Sequence, residues 1–513
     1  VATAWHQPAW ADYSGVSRSL AALTQEESEQ IAAVLDKITQ PILATEVMRA
    51  LQHNGSLVYD GDLTDRPVSN TSTTYPNVAY GHLGDAVQLG YQAAMVSMHS
   101  PTYGRFWLSV TSHPGDTVSC TQAQALVLAA EAKTGLRPQR RTDLLSDRLR
   151  AVAEDYQTRQ EQVLATQEMV TTTETQMADT EQQIESQRVL VTQLEAQYRE
   201  KQRPERPYSA LAKARQKLSA LERRLSRLAK KLLKLNHQLD VRQRLSDGCL
   251  AQVQILQQRL EQFEAENRTN CYPIEAVFRL DAGFGTRENV ALLIEMGYEV
   301  YIKPYSTWLI SRLKSWAGEQ GNWTPAGKNA EMVAWQSVVL SDFPYPLDVA
   351  LQRFHTGETQ RYAALIHFGS EPVTTDLPGW FHRYNARQTI EAGIKEGKGV
   401  FEMHHLKVRS ASGLYLQELF GVFAANFVRW AAHWLATQCP QLPTGWQDTA
   451  RPKVKEQVKV AAHTSAWVSW QEQGCLLRFT DHSVFAGRSL QVERRWAVQL
   501  PLPFSENAHF ARL

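Results

Sequence analysis

Apolar side chains recur every seven residues through much of the middle of the chain. Leu149, Tyr156, Val163, Val170, Met177, Ile184, Val191 and Tyr198 form one such run. After RPERPY at 203–208, Leu211, Leu218, Leu221, Leu225, Leu228, Leu232, Leu235 and Leu239 alternate by threes and fours. The same phase continues to Val253, Leu256, Leu260 and Phe263. A seam at that spacing keeps one side of a helix against a partner. Two seams joined at a pair of prolines predict an antiparallel coiled-coil hairpin over 141–268, with arms of ~50 residues and ~75 Å each. The first arm's remaining seam positions are Thr166, Thr173, Thr180 and Gln187, which predicts looser packing there.

Outside the hairpin the period changes. Leu20, Leu23, Ile31, Leu35 and Ile38 predict two or three short helices within 1–52. SLVYDGDLT (56–64), GYQAAMVSMH (90–99) and RFWLSVTSH (105–113) are β-branched or aromatic, bounded by Gly, Pro and Asn, and predict three strands. The helix TQAQALVLAAEAKTG completes a first part of the core at 53–140. Beyond the hairpin, the strand IEAVFRLDAGFG (274–285), the helix TRENVALLIEMG and the strand YEVYIKPY predict a βαβ unit spanning 269–305. Residues 306–360 read as a small β-rich insertion. A strand at 361–369, a polar helix from Tyr384 and an apolar helix at 414–435 make up 361–438, and 439–513 reads as a short β-containing region. The fold class is therefore α/β, a mixed sheet with flanking helices.

Composition narrows the class. Hydrophobic residues make up 43% of the 513 and charged residues 21%, ordinary for a soluble protein. No apolar run reaches the ~18 residues of a membrane span, and the apolar helix is interrupted by Gln417, Glu418, Asn426 and Arg429. The start lacks a basic segment followed by an apolar one, which predicts no export signal. It also lacks an initiator Met, which predicts that a few residues precede Val1. Five scattered cysteines without a CxxC pair fit a reducing cytoplasm and argue against zinc or a disulfide framework. His404 and His405 lack Cys or carboxylate neighbours at ligand spacing and read as a helix end. The net charge of +1 hides a local excess: between Gln197 and Gly248 there are fifteen Lys or Arg against five Asp or Glu.

Two strands end in acids. LVYDGDLTD delivers Asp60 and Asp62 to the same side of one strand, and VFRLDAGFG ends another with Asp281 before a glycine turn. An Asp in such a place also caps turns. The helix starting at YNARQTIEAGIKEGK is more unusual. Steps of three, four and seven put Tyr384, Arg387, Glu391 and Lys398 on one stripe. A solvated face with i,i+4 ion pairs is the plainer reading of that stripe.

Tyr-x2-Arg-x3-Glu-x6-Lys resembles the signature of bacterial insertion-sequence transposases, the cut-and-paste DDE type (insertion-sequence-four-like). DLT at 62–64 looks like that family's first catalytic Asp with its Thr, and RLDAGF at 279–284 is similar to its second element. The resemblance covers roughly 55–135 and 272–435. It implies an RNase H-like catalytic core, interrupted by the coiled coil and the β insertion. It also implies that Asp62, Asp281 and Glu391 hold two Mg²⁺ or Mn²⁺ ions for phosphodiester cleavage and strand transfer. Asp60 competes with Asp62, which the following Leu-Thr favours. Arg387 and Lys398 would clamp DNA phosphates and Tyr384 would donate to one. In relatives a Trp of the second insertion stacks on a flipped base; Trp323 is the nearest candidate and Trp335 the next, with a core position as the competing reading. Lys303 is a further phosphate candidate. The implied partners are double-stranded DNA, as element ends and target, and a second copy in a synapse, with a cytoplasmic, nucleoid-associated location. Residues 1–52 are a candidate for DNA-end binding. The coiled coil dimerises, contacts DNA or acts as a spacer. A nuclease that does not join ends, and a domesticated non-catalytic DNA-binding protein, are the rival readings.

Overall fold

The computed structural model describes residues 12–202, 204–304, 306–320, 322–341, 343–356 and 359–438, and, beyond them, 454–455, 458, 465–471, 474–481, 486–487 and 489–493. The chain divides into two compact units, Val1–Arg140 with Asn270–Leu513, and Arg141–Thr269. Among the described residues no helix is long and apolar enough to cross a membrane.

The first unit opens with α1 (Tyr13–Ala22) and α2 (Gln25–Asn54). Where several short helices are expected, α2 runs for 30 residues through Pro41. Its ends explain the length. Thr24 and Glu27 form a reciprocal capping box at the start, and Gly55 closes the other end in the left-handed conformation. Then come β1 (Ser56–Pro67), β2 (Ala79–Leu83), β3 (Ala86–Ser100), β4 (Gly104–Pro114) and α3 (Ala123–Thr134).

The hairpin consists of α4 (Thr142–Glu200) and α5 (Ala210–Thr269), 59 and 60 residues long and so roughly 90 Å each. Its seam is as expected, but the positions anticipated as loose are among the most buried of α4. Thr166 and Thr173 are wholly buried and Thr180 nearly so, each donating its hydroxyl to the carbonyl four residues back at 2.7 Å. Small side chains with satisfied hydroxyls let two helices approach more closely than larger ones would. Gln187 donates to the carbonyl of Ala214 across the pair at 3.1 Å.

The first unit resumes with β5 (Glu275–Leu280), α6 (Arg287–Glu295), β6 (Glu299–Ile302), α7 (Thr307–Gln320), β7 (Thr324–Gly327), β8 (Ala330–Val338), β9 (Leu347–Thr356) and β10 (Thr359–Phe368). It continues through α8 (Leu377–Asn385), α9 (Gln388–Val400) and α10 (Ala411–Gln438) to a small sheet of β11 (Ala466–Gln471), β12 (Gly474–Phe479) and β13 (Ser489–Glu493). The chain's two ends at the hairpin are tied together. Asn270 donates to the carbonyls of Arg137 and Pro138, and the Ile274 amide to Arg137.

One mixed sheet organises this unit, in the order β2-β3-β1-β5-β6-β10-β9-β8-β7, with β4 also on β3. β1, β3 and β4 are antiparallel to their neighbours, whereas β1, β5 and β6 run parallel. Strands β7 to β9, expected as a separate insertion, continue the same sheet through β10, the strand expected at 361–369, which pairs antiparallel with β6 and with β9. Strand alternation gives β1 two unlike faces. Gly61 lies against Leu280, Phe278 and Leu126 of α3, and a Cβ there would come within 2.8 Å of Leu280. The opposite face carries Asp60, Asp62, Thr64 and Arg66. On that side, Ile390 of α9 and Val422 and Ala425 of α10 pack on Met95 and Trp107. Arg66 and Glu418 of α10 form a buried pair at 2.6 and 3.1 Å.

His367, at the β6–β10 junction, is buried between Asp348 at 3.2 Å and Glu299 at 3.1 Å. Burial disfavours its charge, but the bonds to the two carboxylates outweigh burial and raise its pKa above the ordinary imidazole value. An imidazolium favoured in the folded state stabilises below the unfolded pKa of about 6.5, and that stabilisation fades as pH rises through the folded value. His367→Gln is therefore expected to destabilise the protein by about 1–3 kcal/mol at pH 6. The difference from wild type should narrow towards alkaline pH in chemical denaturation.

Candidate active site

Asp62 lies within β1, Asp281 directly after β5 and Glu391 in the first turn of α9. The parallel register of β1 and β5 pairs Asp60 with Arg279, so two residues further on Asp62 comes alongside Asp281. Alternation also places Arg279 and Asp281 on the same side of β5 as Asp60 and Asp62. This register separates the two candidate aspartates. Asp60 is buried and held by Arg279 at 2.7 and 2.8 Å, while Asp62 faces the other acids. Arg279 also donates to the Arg383 carbonyl at 2.8 Å.

The turn after β5 is built for close approach. The Asp281 carboxylate accepts from the Gly283 amide at 2.9 Å. A Cβ on Gly285 would sit 2.0 Å from the carbonyl oxygen of Lys303, at the end of the neighbouring β6. Only glycine lets the turn close over that backbone.

The three acids meet at Arg387. Its guanidinium lies 2.8 Å from Glu391, 3.5 Å from Asp281 and 3.8 Å from Asp62. The Arg387 side chain is buried, whereas Asp281 and Glu391 are 38% and 49% exposed, so the cluster opens to solvent on the acid side. Burial pushes the Asp62 carboxyl up to about 7; Arg387 works against this, and Asp281 and Glu391 add to it. For Arg387 burial works against the charge, but the surrounding acids and Tyr384 outweigh it and raise the pKa. Lys303 faces the same cluster; burial and Arg387 lower its pKa, with Glu391 and Asp281 opposing.

The stripe expected from Tyr384 to Lys398 is divided. α8 ends at Asn385, α9 starts at Gln388, and the join tightens to three-residue hydrogen bonds, Arg387 to Tyr384 and Ile390 to Arg387. Tyr384 is buried, with its hydroxyl 3.4 Å from the Leu280 carbonyl and Lys303 over its ring at 5.4 Å. Lys398 bonds to Asp65 at 2.6 Å, fastening the end of α9 to β1. Trp323 lies in the β extension, where Arg353 stacks on it at 4.1 Å and Tyr362 meets it edge-on. Trp335 packs against Trp316. Asp62, Asp281, Glu391 and Arg387 therefore come together, with Lys303 and Tyr384 at their border, while Lys398 and Trp323 have partners of their own. The role of Arg279 was readable only as a strand alternation with Asp281.

A second cluster departs from expectation. Glu402, His404 and His405 place ligand atoms within 4.8 Å of one another, with Glu402 and His405 joined at 2.5 Å. The carboxylate thought missing beside these histidines comes from Glu402, whose positive φ of 52° turns the backbone back on itself.

A carboxyl that prefers its proton in the folded state lowers stability as pH rises from the unfolded value of about 4 towards 7. With divalent ions chelated, Asp62→Asn is expected to stabilise the protein by roughly 2–4 kcal/mol at pH 8. The gain should vanish near pH 4 when denaturation is followed across that range.

Compared with models of known protein families and with curated proteins, the sequence matches none.

Proposed function

We propose that the protein is a DNA transposase of the DDE type, which cleaves the ends of its mobile element and joins the 3′-ends to target DNA. The observation that carries this reading is the meeting of Asp62, Asp281 and Glu391, from two adjacent parallel strands and a crossing helix, on one buried guanidinium. The sheet supports an RNase H-like assignment of the core: β4, β3 and β1 antiparallel, followed by β5 and β6 parallel to β1. The resemblance of residues 62–64, 279–284 and 384–398 to the transposase signature points the same way.

The donor set suits two hard divalent cations. Three carboxylates offer only oxygen, and a guanidinium now neutralises the charge they share. Mg²⁺ or Mn²⁺ held by Asp62, Asp281 and Glu391 would polarise the phosphate and assist the attacking and leaving oxygens. The chain's own residues supply the rest. Asp281 and Glu391 face solvent, where a phosphate backbone can approach, and buried Asp62 anchors the cluster from below. Lys303 brings a cation to the same cluster as a point charge for phosphate, while the fork of Arg387, expected to clamp DNA, is buried and taken up by the three acids, which it holds together. Asp60 and Arg279 hold the β1–β5 register that aligns the two aspartates. Synapsis of two ends would bring in a second copy, on DNA in the cytoplasmic nucleoid.

The test uses the full chain, Mg²⁺ and a plasmid bearing the DNA that flanks the gene. Wild type is expected to cut at the element ends and to join pre-cut ends to a target plasmid. Glu391→Gln should lower both by roughly 10³-fold, since loss of a metal ligand removes several kcal/mol of transition-state stabilisation. Cleavage without joining would identify a nuclease, and undiminished activity in Glu391→Gln would overturn the reading.

A further inference from the structure

The local excess of cations found in the sequence, fifteen Lys or Arg against five Asp or Glu, becomes a surface in the hairpin. On α5 the seam runs through Leu218, Leu221, Leu225, Leu228, Leu232 and Leu235, all buried or partly so. In heptad terms these are the a and d positions; c and f then face away from α4, and g, flanking the seam, adjoins them on one side. Between 213 and 234 that arc has ten positions. Eight of them are Lys or Arg, with only Gln216 and Ala220 between them.

Arg223, Arg227, Lys230 and Lys234 form one line at spacings of four, three and four. Lys217, Arg224 and Lys231 form a parallel line at intervals of seven, and Lys213 begins the arc. All eight are exposed, and none has a carboxylate partner among the described residues. The one acid in the segment, Glu222, lies off the arc and pairs with Arg188 of α4. Within this stretch of α5, Glu222 pairs across the helices with Arg188, and Arg215 with Glu195. The basic arc is thus not consumed by the hairpin's own cohesion.

We infer that this face of α5 is a binding surface for the phosphate backbone of duplex DNA, read without regard to base sequence. The inference extends the DNA reading above but stands on this charge pattern, not on the acid cluster. Lys213 and Lys234 are separated by roughly 31 Å along the helix axis, close to the ~34 Å of one duplex turn. A protein partner is the poorer match, because protein interfaces are depleted in Lys and need an apolar centre. The arc has neither depletion nor centre.

The experiment measures binding of the full chain to duplexes of unrelated sequence by fluorescence anisotropy, with chelator present, from 50 to 200 mM salt. The variant is Arg223→Gln, Arg227→Gln, Lys230→Gln and Lys234→Gln combined. Each cation on a phosphate contributes about 0.9 to the slope of log affinity against log salt. The slope should therefore flatten by about 3 to 4, with a roughly hundredfold loss of affinity at low salt. An unchanged slope overturns the inference. Should that variant lose its helical circular-dichroism melt, the single changes Arg227→Gln and Lys234→Gln, each expected to flatten the slope by about 1, decide the matter, and unchanged slopes in both overturn the inference. A salt-dependent dimer dissociation that follows the substitutions in sedimentation, with DNA binding intact, also overturns it. The binding is read with chelator present and no cleavage, so it is scored independently of the acid cluster. Failure of cleavage would then leave this surface standing, and failure of the salt response would leave the cleavage reading standing.

Discussion

Three carboxylates gathered at one place repel each other, and Arg387 is the interaction that lets them stay. Its side chain is 5% exposed, so its attraction to Glu391, Asp281 and Asp62 is little screened by water. A buried guanidinium is costly without partners, and clustered acids are costly without a cation. Each requirement answers the other. The tightened join between α8 and α9 follows from this, because the residue at that join must lie beneath the strand ends and not out along a helical stripe. The Nε of Arg387 remains buried without a hydrogen bond, which leaves the guanidinium held by charge more than by directional bonding.

β1 carries the consequences outward. Its polar face meets a different element at each step: Asp60 binds Arg279 of β5, Asp62 faces the acid cluster and Arg66 binds Glu418 of α10. Its apolar face is so tight at Gly61 that no side chain fits. A slip of one residue would exchange the two faces and bury four polar groups in the wrong layer. The register that aligns Asp62 with Asp281 is therefore protected from both sides, by ion pairs above and by packing below.

Much of this was legible in the sequence where one period dominates. Leucines at seven-residue spacing specify the hairpin, and apolar strands ending in Asp specify where the acids are delivered. The limits were those of one-dimensional spacing. Tyr384 and Lys398 fit a helical stripe on paper, but the break near Ala386 turns Tyr384 to the Leu280 carbonyl, and Asp65, remote in sequence, captures Lys398. Asp60 and Asp62 share a face, so alternation could not choose between them; the Arg279 pairing depends on β1–β5 register. The apolar positions from Leu20 to Ile38 suggested several short helices, whereas the caps at Thr24 and Gly55 bound a single α2 of 30 residues. The threonine seam of α4 is buried despite its polar residues, because each hydroxyl is bonded to the preceding turn, a pairing that heptad spacing does not reveal. Strands β7 to β9 looked separate because a mixed composition says nothing about which edge they join.

The tie between Asn270, Ile274 and Arg137 has an evolutionary meaning. Because the chain departs and returns at a single hydrogen-bonded locus, the 129 residues of Arg141–Thr269 occupy what is topologically one loop. Closing such a gap with a short turn or with a long excursion changes the closure entropy only logarithmically. Gain, loss or exchange of the whole helical arm by a single in-frame event would leave the neighbouring strands in register.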